Sequence, residues 1–276
     1  MISIPGLAPI VGVLVLLELG AGTVAAAWIS DLWSTVGRGF AGTTALICVV
    51  ILGTELIMLA ALPDPSQLLH RHVDAADYAT FVHWSVISTV ATAGYAFFSA
   101  VGTDPARRVV GAVAVGCGGV AVARAAIVFG PSLGGAGIAV VTFAPAALLG
   151  GAVLAGMLLG HWYLIAPDLS FAPLRRAVYL IFSAVAVQAA SIAAAVALAS
   201  RPTRSQLITG HNGLAFWLLV VTAGVVATAA VNGLTLYYAR IRANQPATAM
   251  LYILIITVLM GIVPAHLLAF LTRVGV

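Results

Sequence analysis

The residues best suited to chemistry in this sequence are a few charged side chains that interrupt apolar stretches. Glu18, Glu55 and Arg124 each stand within a run of mostly apolar residues. A charged side chain inside a membrane is costly and marks a functional site by default. We therefore take these three as candidate catalytic residues, the carboxylates for proton transfer and the guanidinium for orienting an anion or a carbonyl group.

Histidines supply the candidate cofactor and metal ligands. His83 lies near the start of the third apolar run, His211 opens the seventh run, and His266 lies near the end of the eighth. Imidazole is a common ligand of haem iron and of other metal ions. Two more histidines occupy the polar segment after the second run. Five of the six histidines are therefore expected near one face of the protein, around Glu55 and Arg124.

These residue types fit three kinds of site. In the first, two of the three candidate histidines bind a b-type haem and Arg124 pairs with a propionate. In the second, Glu55 and a histidine accept the protons of a quinol while Arg124 polarises a quinone carbonyl. In the third, the same residues line a metal-ion or small-solute site of a transporter. A wholly structural role, with Glu55 and Arg124 as an ion pair, is the alternative to all three.

Glu18 differs from the other candidates because it is central in the first run and has no basic residue near it in sequence. A carboxyl group in that position is protonated, paired across helices, or part of a proton path. Two further polar residues in apolar runs, Gln188 and Asn232, are expected to make hydrogen bonds between helices.

A second candidate site lies where the fifth run ends and the sixth begins. His161 and Asp168 flank this junction, and Arg175 opens the next run. Aromatic and basic residues are normal at a membrane interface. The alternative is an inner-face site in which these three residues hold an anionic headgroup, a quinone or a partner subunit.

The elements that must position these residues follow from composition and length. The chain has 276 residues, 62% of them hydrophobic and 7% charged, which excludes a soluble globule and a disordered chain. A helix needs about 20 apolar residues to cross a bilayer. The sequence therefore predicts an all-α polytopic membrane protein. Eight runs are long enough: 7–29, 41–62, 79–101, 108–129, 139–164, 175–199, 212–238 and 247–271.

The basic residues predict the orientation of these helices. All twelve are arginines, and the absence of lysine excludes Schiff-base chemistry and phosphate-loop chemistry. The arginines lie in short loops without a basic stripe, so nucleic acid is not an expected partner. Counting them by loop favours an N-out and C-out arrangement. We therefore expect a multi-pass protein of the cell (inner) membrane with the histidine-rich face outside.

The domain organisation is expected to be simple. The segments between the runs are too short for a soluble domain, so residues 1–276 form one transmembrane domain. A weak similarity between helix pairs suggests halves at about 1–135 and 136–276. The layout resembles that of haem A synthase and of eight-helix quinol-oxidising anchor subunits of the polysulfide-reductase type. The motifs of neither family are present, so this resemblance assigns no residue.

The sequence thus favours a membrane subunit of an electron-transfer system, which interacts with quinol or quinone, or with haem b, near its outer face. Because the loops leave no room for a catalytic head, a membrane or extracytoplasmic redox partner subunit is expected. A small-solute or metal-ion transporter is the first alternative, and a structural or assembly subunit is the second.

Overall fold

The structure is a computed structural model that describes residues 4–33, 36–69, 71–166, 168–210 and 212–275. Eight helices in this part of the chain are long and apolar enough to cross a membrane, and the prediction of an all-α protein is confirmed. In chain order the helices are α1 (Ile4–Leu32), α2 (Arg38–Ala61), α3 (Pro65–Leu69), α4 (Ala75–Val101), α5 (Asp104–Phe129), α6 (Ala136–Ile165), α7 (Ala172–Leu198), α8 (Arg201–Ile208), α9 (Gly213–Arg240) and α10 (Asn244–Thr272). The short α3 and α8 lie between the long helices.

Local sequence signals explain where the long helices begin and end. The Asp74 side chain accepts hydrogen bonds from the backbone N–H groups of Ala76 and Asp77, which caps α4. Those two N–H groups lower the pKa of Asp74, as expected for a carboxylate at a helix N-terminus. After α5, Gly134 and Gly135 adopt φ angles of 97° and 135°. Only glycine adopts these angles easily, so the pair makes the turn into α6.

Two helices form the centre of the bundle. Most residues of α1 and α6 are buried, whereas the other six long helices bury half of their residues or fewer. The two central helices touch through their backbones, because a Cβ atom on Gly22 would lie 1.8 Å from the carbonyl oxygen of Ala147. Gly151 faces Gly22 from the other side of this contact. Small residues of this kind let membrane helices approach closely.

The remaining helices are arranged around these two in two sets of four. In the first set, α1 packs against α2 and α5, and α4 packs against the same two helices. In the second set, α6 packs against α7 and α10, and α9 packs against those two. Contacts of α1 with α6 and α10, and of α5 with α6, join the sets. The division into halves as domains stays a prediction.

Small residues at helix interfaces fall into two groups. Gly156 and Gly160 of α6 lie against Leu251 of α10, so these small residues pack within the molecule. In α5, Gly118 packs against Ala21, whereas Gly119 faces open space. Within α5, glycines one residue apart thus differ in whether they make a contact between helices.

Helix irregularities occur in α6 and α9. Pro145 within α6 has no backbone N–H, which leaves the carbonyl oxygen of Val141 without its helical donor. The hydroxyl of Ser191 in α7 donates to that oxygen. In α9, residues Phe216–Ala227 are wound as a π-helix. Such segments are rare and often mark functional sites.

Candidate functional site

A buried carboxyl–imidazole pair joins α1 to α10. The distance between Oε1 of Glu18 and Nε2 of His266 is 2.7 Å. Both side chains are almost completely buried, with exposed fractions of 2% and 1%. The ring of Phe143 in α6 lies against the imidazole, with 5.3 Å between the ring centroids. Three long helices therefore enclose the pair.

Close packing of the central helices explains why two short side chains meet here. One turn along α1 from Glu18, Gly22 brings the backbone of α1 against that of α6. Gly150 of α6 lies between Leu19 of α1 and Ile262 of α10. Without side chains at these glycines, α10 is close enough to α1 for His266 to reach the Glu18 carboxyl.

The pair keeps unused hydrogen-bonding capacity. Among the described residues, neither Oε2 of Glu18 nor Nδ1 of His266 has a hydrogen-bond partner. With one proton, held between Oε1 and Nε2, the pair is an anion made of a carboxylate and a neutral imidazole. A second proton, on Nδ1 or Oε2, makes the pair neutral overall. The arrangement can therefore accept and release a proton within the bundle.

Glu55 occupies a separate position in the first set of helices. Its carboxyl group is completely buried, and within the described chain neither oxygen makes a hydrogen bond. The hydroxyl of Ser85 in α4 lies near this carboxyl group. Glu55 is thus a second buried carboxyl group, and it has no imidazole partner like that of Glu18.

The other residues expected around Glu55 are not brought to it. The His83 side chain is exposed. It is two residues from Ser85, and about 200° of helical rotation separates the two side chains. Arg124 is half-buried, and across the described ranges it makes no ion pair with Glu55. His211 lies outside the described residues. The expected single cluster around Glu55 therefore does not form among the residues that the structure places.

The positions of the candidate histidines do not favour a metal or haem site. The part of the chain that the structure describes contains no group of three or more His, Cys, Asp or Glu residues able to hold a metal ion. The Nε2 atom of His266 faces Glu18, so it is not free to bind iron without breaking the pair. His83 and His266 belong to different sets of helices, and the one side chain is exposed while the other is buried.

An ion pair at the C-terminal end of α1 was not predicted from the sequence. Arg107 of α5 makes two hydrogen bonds with the Asp31 carboxylate, at 2.7 and 2.9 Å. A third, at 2.8 Å, joins Arg107 to Asp104. The Arg107 and Asp31 side chains are 5% and 3% exposed. The sequence signal is an acid just after one apolar run and an arginine just before another, but neither residue's position in sequence identifies the other as its partner.

The predicted inner-face site is open and loosely connected. His161, Asp168 and Arg175 are all exposed. Within the described ranges, one hydrogen bond involves these three side chains, and it joins Nδ1 of His161 to the hydroxyl of Tyr252 at 3.5 Å. Asp168 and Arg175 form no ion pair in the same part of the chain. The arrangement resembles a solvated interface more than a built binding site.

The two uncharged polar candidates behave differently. The Asn232 amide donates to the carbonyl oxygen of Val178 at 3.0 Å, which confirms the expected contact between helices. Gln188 is also buried, but its Oε1 has no hydrogen-bond partner in the described chain. The Gln188 oxygen therefore does not accept the hydrogen bond between helices that the sequence predicts.

Comparison with known proteins does not extend these observations. No known protein family, curated protein or solved structure matches the chain significantly.

Proposed function

We propose that this chain is the membrane subunit of an electron-transfer system that interacts with quinol or quinone. The observation that carries the proposal is the Glu18–His266 pair, a buried carboxyl–imidazole contact with an unused atom on each side chain. Buried ionisable pairs within membrane helices are characteristic of proton relays. In this proposal the pair receives a proton as quinol is oxidised.

The reaction balances with a partner redox centre. Oxidation of a quinol to a quinone breaks two O–H bonds and releases two protons and two electrons. The Glu18–His266 pair takes up the protons one at a time and passes each on before the next. The electrons pass singly to a one-electron acceptor, a haem or iron–sulfur centre on a partner subunit. No electron-carrying group is assigned to this chain.

Two features favour quinol over haem in this proposal. Binding of a haem iron by His266 through Nε2 would break a short hydrogen bond and leave the Glu18 carboxyl buried without a partner. An exposed His83 would also be a poor second ligand for an iron placed beside His266. Proton transfer from a quinol uses the pair as it stands.

The proposal includes an orientation and a location. Seven arginines between or at the ends of the helices would lie on the cytoplasmic side and four on the outer side if the N-terminus is outside. His266 is six residues from the outer end of α10 in that orientation. The protein would then lie in the cell membrane, multi-pass, with its redox partner in the membrane or at its outer face.

Proton-coupled transport of a small solute is a second candidate, and one observation favours it. Glu18 belongs to the first set of helices and His266 to the second. Movement of one set against the other would break the pair and expose both groups, as alternating access requires. Flux into vesicles that contain this chain alone would support transport, whereas dependence on quinol and a redox partner would not.

The test is quinol oxidation by membranes that contain the native complex. Glu18→Gln keeps the size of the side chain and a hydrogen bond to His266 but removes the titrating group. We expect it to lower the rate about 100-fold or more, as for loss of a general base. His266→Gln should lower the rate similarly. Each variant is first checked for normal insertion and for a single species in detergent.

Matched controls separate this pair from the other candidates. Glu55→Gln removes a second buried carboxyl group by the same substitution, and His72→Asn removes an exposed histidine. Both variants are expected to keep most of the wild-type rate. If Glu55→Gln loses activity and Glu18→Gln does not, the proton acceptor is the residue favoured by sequence and the proposal for the pair is wrong.

A further inference from the structure

A groove on the outer surface of the bundle runs between α7 and α9. Its volume is about 390 Å³, within the ~300–1,000 Å³ typical of small-molecule sites. The walls are apolar, with Ile192 and Val196 on one side and Phe216, Trp217 and Val221 on the other. Trp217 is about half exposed. A surface that is apolar and turned outward in a membrane protein faces lipid.

An unpartnered polar group lies behind this groove. Gln188 is 5% exposed, and its Oε1 makes no hydrogen bond to any described residue. It lines a small internal cavity that shares two of its walls, Ile192 and Val225, with the groove. These two side chains form the partition between groove and amide. The cavity itself has a volume of only about 10 Å³, so a head group in the groove reaches the Gln188 amide only where Ile192 and Val225 move aside.

The backbone of α9 is irregular at the same place. The π-helix Phe216–Ala227 supplies one wall of the groove and one wall of the cavity. Gly224 within it lies against Gly261 of α10, since a Cβ on Gly224 would be 2.7 Å from the Gly261 Cα. A π-helix has a cost in regular helical hydrogen bonding and recurs where a helix shapes a ligand site.

We propose that the groove between α7 and α9 binds an isoprenoid quinone, with the head group against Gln188 and the tail directed toward the lipid. The Gln188 oxygen accepts a hydrogen bond from a quinol hydroxyl. The same amide, rotated by about 180°, donates from its NH₂ group to a quinone carbonyl. One side chain thus serves both redox forms, and the apolar walls of the groove suit the isoprenoid tail.

This site would also explain how a quinol reaches the proton acceptor. Ile262 and Ala265 of α10 line the small cavity together with Gln188, and His266 is the next residue along α10. A head group at Gln188 would therefore lie on the side of α10 next to the Glu18–His266 pair. This step rests on the proposed function, whereas binding of quinone in the groove stands on its own observations.

Quinone binding is tested by quenching of tryptophan fluorescence. The purified protein in lipid nanodiscs is titrated with a short-tailed ubiquinone, and Trp217 in the groove is the reporter. We expect saturable quenching, most of which Trp217→Phe removes. Gln188→Leu should raise the apparent Kd about 10-fold, the effect of losing one buried hydrogen bond.

A second pair of variants tests the groove without altering a buried residue. Ala193 lines the groove and is exposed, so Ala193→Trp fills the site from the lipid side. It should abolish the saturable component. Val187→Trp places the same side chain on an exposed part of α7 outside the groove and should leave quenching unchanged. Gln206→Leu, on the exposed surface of α8, is the control for Gln188→Leu.

The outcomes separate the groove from the proposed function. Quenching that is linear in quinone, or that is unaffected by Gln188→Leu and Ala193→Trp, overturns the groove as the binding site. Normal quinol oxidation in those two variants would also contradict the groove while leaving the role of Glu18 intact. Saturable binding together with full activity of Glu18→Gln would support the groove and contradict the proposed proton acceptor.

Discussion

The Glu18 carboxyl and the His266 imidazole are 248 residues apart in sequence and 2.7 Å apart in space. The sequence marks each residue as a candidate, because an ionisable group in an apolar run is costly and is seldom kept without a role. It does not identify the pair. Their contact depends on how closely α1, α6 and α10 approach, and the glycines that set this distance lie on other turns.

For Glu55 the sequence predicted a cluster that the structure does not show. Its position in α2 suggested a cluster with Arg124 and His83, since all three were placed near one face by their distance from helix ends. Depth along a helix does not determine rotation about its axis. In the structure Glu55 points inward and His83 outward. A shared depth was therefore insufficient to predict a shared site.

At the scale of helices, the buried Asp31–Arg107 ion pair joins α1 to α5. Removing one partner of a buried ion pair leaves an uncompensated charge, so Arg107→Met should lower the free energy of unfolding by about 3 kcal/mol. Asp31→Asn should have a similar effect, since the buried Arg107 guanidinium then loses the negative charge of Asp31. The measurement is reversible unfolding in mixed micelles.

The double variant Asp31→Asn with Arg107→Met tests whether the two residues act together. Because no buried charge is then left without its partner, the combined loss should be clearly smaller than the sum of the single losses. Losses that simply add would show that the two side chains contribute independently.

The contact between α1 and α6 makes a second prediction at this scale. Gly22→Ala places a methyl group against the backbone of Ala147, which cannot move aside like a side chain. We expect it to lower stability by about 3 kcal/mol or more, at the upper end of overpacking effects. Thermal unfolding in detergent measures the loss.

Gly119→Ala is the matched control for this substitution. Gly119 lies within α5 and faces open space, so alanine there should be neutral or slightly stabilising. Equal effects of the two substitutions would mean that general helix propensity, and not the contact between backbones, determines stability. Such a result would contradict close backbone packing as the reason that Glu18 lies beside His266.

The boundaries of the helices were predictable, whereas their irregularities were not. The length of the apolar runs predicted eight long helices, as the structure has them. The π-helix Phe216–Ala227 in α9 has no sequence signature of this kind. The hydrogen bond from Ser191 to the carbonyl freed by Pro145 depends on tertiary contact.

On the scale of the whole molecule, composition predicted an all-α membrane protein but not the arrangement of its helices. The centre of the bundle consists of the first and fifth long helices, and each set of four repeats the same order of contacts. The low charge content of the sequence predicts membrane insertion, and only the distribution of arginines predicts its direction. Orientation is therefore the prediction to test at this scale.

Cysteine labelling tests the orientation directly. Thr103 precedes α5 and Gln206 lies on α8, and both side chains are exposed. With N-out and C-out topology, Thr103→Cys should react with an impermeant thiol reagent only after permeabilisation, and Gln206→Cys should react in intact cells. The wild-type protein, with cysteines at 48 and 117, is the background control. The reverse pattern would place the Glu18–His266 pair nearer the cytoplasmic face.

The measurement that tests the central claim most directly is the protonation of Glu18 during quinol oxidation. Infrared difference spectra between the reduced and oxidised states of the quinone pool report changes in carboxyl groups in membranes that contain the native complex. We predict a carboxyl band that is present in the wild type and in Glu55→Gln but absent in Glu18→Gln. A difference spectrum unchanged by Glu18→Gln, with quinol oxidation intact, would contradict the assignment of the pair as proton acceptor.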